Sequence, residues 1–122
     1  MINVNEYGFL PENNPYKNSE AFQKAVDNGG TVQVTVPGIY KISEQIEIGD
    51  NTKLVFGEGV ILMREASVSG INGNAFINKG AVFGEYNHNI EIIGLHLECN
   101  DIESNDFGVN SRIAGLRAQV AM

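Results

Sequence analysis

The sequence predicts an all-β fold in which short strands stack on one another, either as a β-solenoid or as a β-sandwich. Three observations predict it. Glycine is abundant, with 14 residues, and tryptophan is absent. Apolar residues recur with period two in short runs, punctuated by Gly, Asn and Asp, which take positive φ cheaply. Only one segment has a clear helical period.

Residues 1–17 are polar and turn-rich, with Pro11, Pro15 and the pair Asn13-Asn14, and they read as an extended lead-in. The helix is expected over residues 18–30. Asn18 or Ser19 is its expected N-cap, and Glu20 then sits where the helix dipole favours an acid. Ala21, Phe22, Ala25 and Val26 share one face, while Glu20, Gln23, Lys24 and Asp27 face solvent. Gly29-Gly30 is the expected stop. A short helix with one apolar face requires something flat and apolar to cover.

From residue 31 onward the period changes. Thr31 to Val36 alternates, with Val32, Val34 and Val36 expected inward, and Pro37-Gly38 turns the chain. Strands are expected over 40–43, 45–48, 53–56, 60–63, 75–78, 89–93 and 96–99. Pieces of three to five residues are not stable alone and require a stacked neighbour. A weak internal echo supports stacking: Ile46-Glu47-Ile48-Gly49 before Leu54-Val55-Phe56 is similar to Ile90-Glu91-Ile92-Ile93-Gly94 before Leu95-His96-Leu97. Repetition of one supersecondary unit is the mark of a solenoid, but a sandwich uses the same strands and turns.

Charge limits the partners. The formal net charge is −7, and no basic stripe is present to displace counterions from phosphates, so nucleic acid is not an expected partner. An anionic membrane surface is disfavoured for the same reason. No stretch approaches the roughly 20 apolar residues of a membrane helix. Residues Met1 to Glu6 lack the basic and apolar regions of a signal peptide, and the compartment stays open. Cys99 is the only cysteine, so an internal disulfide and a multi-cysteine metal site are both excluded.

Specific strings carry a resemblance. The run Asn18-Ser19-Glu20-Ala21-Phe22-Gln23-Lys24-Ala25-Val26-Asp27, then Gly29-Gly30-Thr31-Val32, then Val36-Pro37-Gly38-Ile39-Tyr40, resembles the opening of pectin-lyase-like proteins. That superfamily includes polygalacturonase-like glycoside hydrolases, pectate-lyase-superfamily proteins and some phage tailspikes. Its members open with an "AFQ-A" helix and a "GG-V-VP-G-Y" strand. Leu54 to Leu62 is similar to the family's "L-G-GA-L" segment, and Asn89 to Leu95 to its "N-I-I-GL" coil. The resemblance covers roughly residues 6–100. It implies a right-handed parallel β-helix, with residues 31–122 as opening coils and the helix capping one end. It also implies a polysaccharide or oligosaccharide partner. The apolar stretch Gly115 to Met122 carries no cap, which leads to the expectation of a fragment or of self-association through that end.

The family's hydrolases are known for "NTD", "DD", "GHG" and "RIK" motifs. None occurs here; the nearest string is Ser111-Arg112-Ile113-Ala114. No residue of this chain is therefore assigned a catalytic role, and no cofactor is expected. The resemblance implies the N-terminal scaffold of a glycoside hydrolase acting on uronic-acid-rich, pectin-type glycans. A glycan-binding tailspike or adhesin, or a polysaccharide lyase, is the alternative.

Other residues have chemistry that suits a site. Glu98 with Asp101 can reach the roughly 5–10 Å of a two-carboxylate mechanism, but strand-end acids are ordinarily solvated. Asp101 to Asp106 has oxygens at alternating positions, yet it lacks the EF-hand glycine, and Arg112 stands where the bidentate acid belongs. It reads as a polar loop, with Asp106 the residue to test for sugar contact. His88 is expected in a polar turn and His96 on an outer face, neither at metal-ligand spacing. Cys99 is expected inward and inert. Gly70 to Asn74 lacks the lysine of a phosphate loop and reads as an ordinary loop. Phe56, Phe76 and Phe83 are expected to stack in a core. Tyr16, Tyr40 and Tyr86 are the aromatic candidates for sugar stacking.

Overall fold

Asn14 starts the helix, not Asn18 or Ser19. In the computed structural model, which describes residues 1–65, 75–99, 113–114 and 117–121, α1 spans Pro15–Val26. The Asn14 side chain accepts from the Lys17 N–H at 2.8 Å, and Pro15 occupies the first turn, where a missing N–H costs nothing. Asn18 and Ser19 are consequently buried inside the helix, and Glu20 lies beyond its first turn. The apolar face is as expected: Ala21, Phe22, Ala25 and Val26 are all buried. The lead-in is not simply extended. It contains a strand β1 (Ile2–Asn3) and a 3-10 turn, Val4–Tyr7.

The strands that follow are β2 (Gly30–Val34), β3 (Gly38–Ile42), β4 (Ile46–Ile48), β5 (Thr52–Phe56), β6 (Val60–Arg64) and β7 (Phe76–Asn78). After a 3-10 turn at Lys79–Phe83 come β8 (Asn87–His88), β9 (Ile90–Cys99), β10 (Ile113–Ala114) and β11 (Arg117–Ala121). Every ladder among them is parallel. Equivalent residues therefore stack in register: Val32 on Leu54 on Ile92, Tyr40 on Leu62 on Leu97, and Ile46 on Phe76. All of these are buried. Val36 is not; it is 50% exposed, because β2 ends at Val34 and the chain leaves the sheet there.

The expected fold class is corrected. The all-β expectation is met only in part, because the helix expected as a cap supplies part of the core: Phe22 meets Phe9 edge-on at 5.1 Å and packs near Phe56 and Phe76 at 6.0 and 5.8 Å. Nor do the strands form the right-handed β-helix of equivalent coils that was expected. One seven-stranded, mostly parallel sheet, with the path β1-β2-β5-β9-β6-β3 and β11 beside β9, curls into a half-barrel. The cause lies in β9. Residues 89–93 and 96–99 were expected as two strands, but they are one. Its first half pairs with β5 (Thr52↔Ile90 to Val55↔Ile93) and its second with β6 (Leu62↔Leu97 to Arg64↔Cys99). Gly94, at φ +76, lets the strand turn without ending, and the two flanks fuse through it.

The core also holds a cation. Arg64, aligned with Ile42, is 1% exposed and donates through Nη1 to the carbonyls of Ser43 and Glu65.

Candidate functional site

The feature that organises the described surface is the sealed edge of the first strands, against which a groove is built. An unpaired edge exposes N–H and C=O groups that other chains can join. Here several parts of that edge have partners. Strand β1 pairs with β2 at Ile2↔Val32 and Asn3↔Gln33. Asn5 Oδ1 accepts from the N–H groups of Thr35 and Val36, both at 3.3 Å. Its Nδ2 donates to Phe9 O and to the Tyr40 hydroxyl, which in turn donates to Val36 O.

Helix α1 covers a further part, at Ser43, Glu44 and Glu47. Ser19 Oγ accepts from Ser43 N at 3.0 Å and Glu44 N at 3.1 Å, and donates to Pro15 O. One turn on, Gln23 was expected to face solvent. Instead its Oε1 accepts from Glu47 N at 2.8 Å while its Nε2 donates to Glu47 O at 2.9 Å. The side-chain amide thus reproduces what a neighbouring strand would offer β4. Asn18 treats Leu10 in the same way, bonding both its N–H and its C=O.

Between α1 and β4 lies a groove of about 490 Å³, within the usual size range of ligand sites. Ser19 and Gln23 line it beside half-exposed Tyr16, with Glu44 and Glu47 on the strand side. Two ion pairs border it: Lys24 Nζ with Glu20 at 3.5 Å, and Lys79 Nζ with Asp27 at 3.2 Å.

A second polar knot joins successive turns of the chain. Asp50 Oδ1 accepts from His88 N at 2.8 Å and Asn87 Nδ2 at 2.9 Å. The His88 N–H, and then the Asn87 amide, hold the Asp50 carboxyl below its ordinary range. Asn87 Oδ1 in turn accepts from Asn78 Nδ2 and Gly80 N. Asn51 and Asn89 both take positive φ, and Asn89 Nδ2 donates to Asn51 Oδ1. These contacts hold the loops in place; they do not assemble a reactive pair.

The sequence candidates are placed unevenly. Glu98 is exposed on β9 and lies 3.2 Å from His96 Nε2. Asp101, Asp106 and Arg112 lie outside the described residues, as does Gly70 to Asn74, so the Glu98–Asp101 pairing has no geometry to report. Cys99 ends β9 in backbone terms, and its side chain is likewise outside the description. His88 is exposed and contributes its backbone N–H to Asp50. Phe56 and Phe76 pack in the core, but Phe83 is 79% exposed at the end of its 3-10 turn and is corrected. Tyr40 is corrected too: it is fully buried, stacked on Phe9 at 4.5 Å, and its phenol is pushed up by that burial. Tyr16 and Tyr86 are exposed aromatics.

Sequence reasoning missed Asn5, Ser19, Gln23 and Asp50. Each acts by bonding backbone distant in sequence, and composition carries no signal for that. Among the described residues, no group of three His, Cys, Asp or Glu side chains is placed to hold a metal, and no helix is long and apolar enough to cross a membrane. No family model matches this chain, and no curated protein or solved structure matches it either.

Proposed function

We propose that these residues are the scaffold of a polysaccharide-degrading protein, a glycoside hydrolase of uronic-acid-rich glycans whose cutting residues lie elsewhere. The observation that carries the scaffold role is the edge seal of Asn5, Ser19 and Gln23. These polar side chains are spent on backbone groups of the first strands and are thereby committed to building. The polysaccharide part rests on the sequence strings around Phe22, Tyr40 and Ile90, and not on the fold, since the fold expectation that accompanied those strings is corrected above.

The test is release of reducing ends from a polysaccharide panel that includes polygalacturonate, with this chain and with the full gene product. Cleavage by the full product alone supports the reading. Cleavage by this chain alone refutes the scaffold role and makes Glu98, Asp101 and Asp106 the first residues to replace. A second reading, a glycan binder without turnover, is favoured by the exposure of Tyr16 and Tyr86. Retention of the full product on immobilised glycan with no release of reducing ends would select it.

A further inference from the structure

We propose that Asn28-Gly29 is a spontaneous deamidation site that the fold holds shut, and that its conversion loosens the end of α1. The chemistry needs only water, hydroxide and two neighbouring groups. The Gly29 backbone nitrogen gives up its proton to hydroxide and attacks Cγ of the Asn28 side chain. As the N–Cγ bond forms, the Cγ–Nδ2 bond breaks and the side-chain nitrogen leaves as ammonia. The five-membered imide then takes up one water and opens at either carbonyl. Opening at Cγ gives aspartate, and opening at the backbone carbonyl gives isoaspartate. A glycine in the second position favours the attack, because no Cβ obstructs its nitrogen. Asn28 is exposed to the water that completes the reaction.

The structure engages both reacting groups. The Gly29 N–H donates to Val26 O at 2.9 Å, so the proton that must leave is already held. The departing nitrogen is held as well: Asn28 Nδ2 donates to Lys24 O at 3.0 Å, to Ala25 O at 3.3 Å and to the Tyr7 hydroxyl at 3.1 Å. Deamidation must therefore wait until the helix end opens and Tyr7 lets go. The same bonds explain what conversion would do. Lys24 and Ala25 carry two of the last carbonyls of α1, which have no partner within the helix itself. A carboxylate in place of the amide removes their donor and sets a negative charge at the negative end of the helix dipole. It also removes the donor to Tyr7, which ties the 3-10 turn of the lead-in to the helix. Gln23, which clamps Glu47, lies in that same last turn of α1.

The experiment incubates the full chain in mildly alkaline buffer, folded and in concentrated guanidinium chloride. Peptides are then mapped by mass spectrometry, with the aspartate and isoaspartate products separated by chromatography. Mapping assigns the reaction to its position, because Asn72-Gly73 is a second Asn-Gly pair and lies outside the described residues. Asn28 is expected to convert at least about tenfold more slowly in the folded chain than in the unfolded one. Tyr7→Phe removes one of the three acceptors, so it should speed the folded reaction about threefold and leave the unfolded rate unchanged. Asn28→Asp reproduces one product and should lower Tm by about 4–8 °C. Circular dichroism verifies the fold of each variant.

Equal rates at Asn28 in the folded and unfolded chain would overturn the protection. An unchanged folded rate in Tyr7→Phe would remove Tyr7 from the hold. An unchanged Tm in Asn28→Asp would overturn the loosening of α1. Were Tyr7→Phe not to fold, the comparison of folded and unfolded native chain would still decide whether the site is held shut.

Discussion

Replacing Gly94 with alanine should cost far more than the same replacement at Gly29, although both sit at nearly the same backbone angle. Gly94 has φ +76 and Gly29 φ +70. An L-residue at such angles costs roughly 1–2 kcal/mol, and the loss of chain freedom in the unfolded state returns about 0.4–1 kcal/mol. At Gly29 a Cβ would meet nothing within 4 Å, so the net cost should be about 1 kcal/mol or less. At Gly94 the Cβ would lie 2.5 Å from the carbonyl oxygen of Phe56. That atom is backbone of β5 and cannot swing aside, so overpacking adds roughly 1–3 kcal/mol.

The sum for Gly94→Ala is about 1–4 kcal/mol. For a chain of this length, with about 4 °C lost per kcal/mol, Tm should fall by roughly 4–16 °C. Gly29→Ala should lower it by about 4 °C or less. Urea unfolding followed by circular dichroism would give the free energies directly, if the transition is two-state. Equal losses in the two variants would refute the argument, since only the close approach to Phe56 separates the two sites.

Other perturbations follow from contacts described above. Gln23→Leu keeps the bulk but leaves the Glu47 N–H and C=O without their partner, so stability should drop by about 1–3 kcal/mol. Faster hydrogen exchange at the Glu47 amide would show the loss locally. Phe22→Ala removes the ring that meets Phe9, Phe56 and Phe76 and should cost about 3–5 kcal/mol, read from denaturant unfolding. The Asp50 carboxyl is lowered from 3.8 by the His88 N–H and the Asn87 amide. Because the folded value is the depressed one, its contribution is present above 3.8 and fades as pH falls through the folded value. Asp50→Asn should therefore flatten the acid limb of a stability–pH curve; an unchanged limb would remove Asp50 from that role.

Local patterns were legible where one face of one element decided the outcome. The buried set Ala21, Phe22, Ala25 and Val26 follows from helical spacing alone, and the alternation of β2, β5 and β6 from period two. The helix start was misplaced because Asn14 and Asn18 are equally good caps by residue type. Pro15 decides between them, and Asn18 is instead engaged with the Leu10 peptide. Gly94 reads as the end of a strand because glycine usually breaks one. That it bends a continuous strand depends on β5 and β6 lying beside it, and neither is near in sequence. The curl that replaced the expected coils was hidden for the same reason.

For the site, the exposure of Tyr16 and Tyr86 was legible from their polar surroundings. The burial of Tyr40 was not, because Phe9 and Asn5, which receive its ring and hydroxyl, come from a lead-in that looked extended. Phe83 failed in the opposite direction: an apolar side chain at the end of a tight turn points wherever the turn sends it.

The uniformly parallel pairing has a bearing on how the chain acquires its shape. Among the described residues no ladder joins neighbours across a tight turn; the sheet partners are as distant as Ile2 and Val32, or Thr52 and Ile90. A hairpin cannot start the sheet, and proteins dominated by such distant contacts assemble slowly, on the scale of milliseconds to seconds. The longest local element among the described residues is α1, and its Ser19 and Gln23 carry the groups that meet the backbone of Ser43, Glu44 and Glu47. During synthesis the helix leaves the ribosome before β3 and β4. It is therefore available as a template, fixing where the first strands lie before β9 arrives to join the two flanks of the curl.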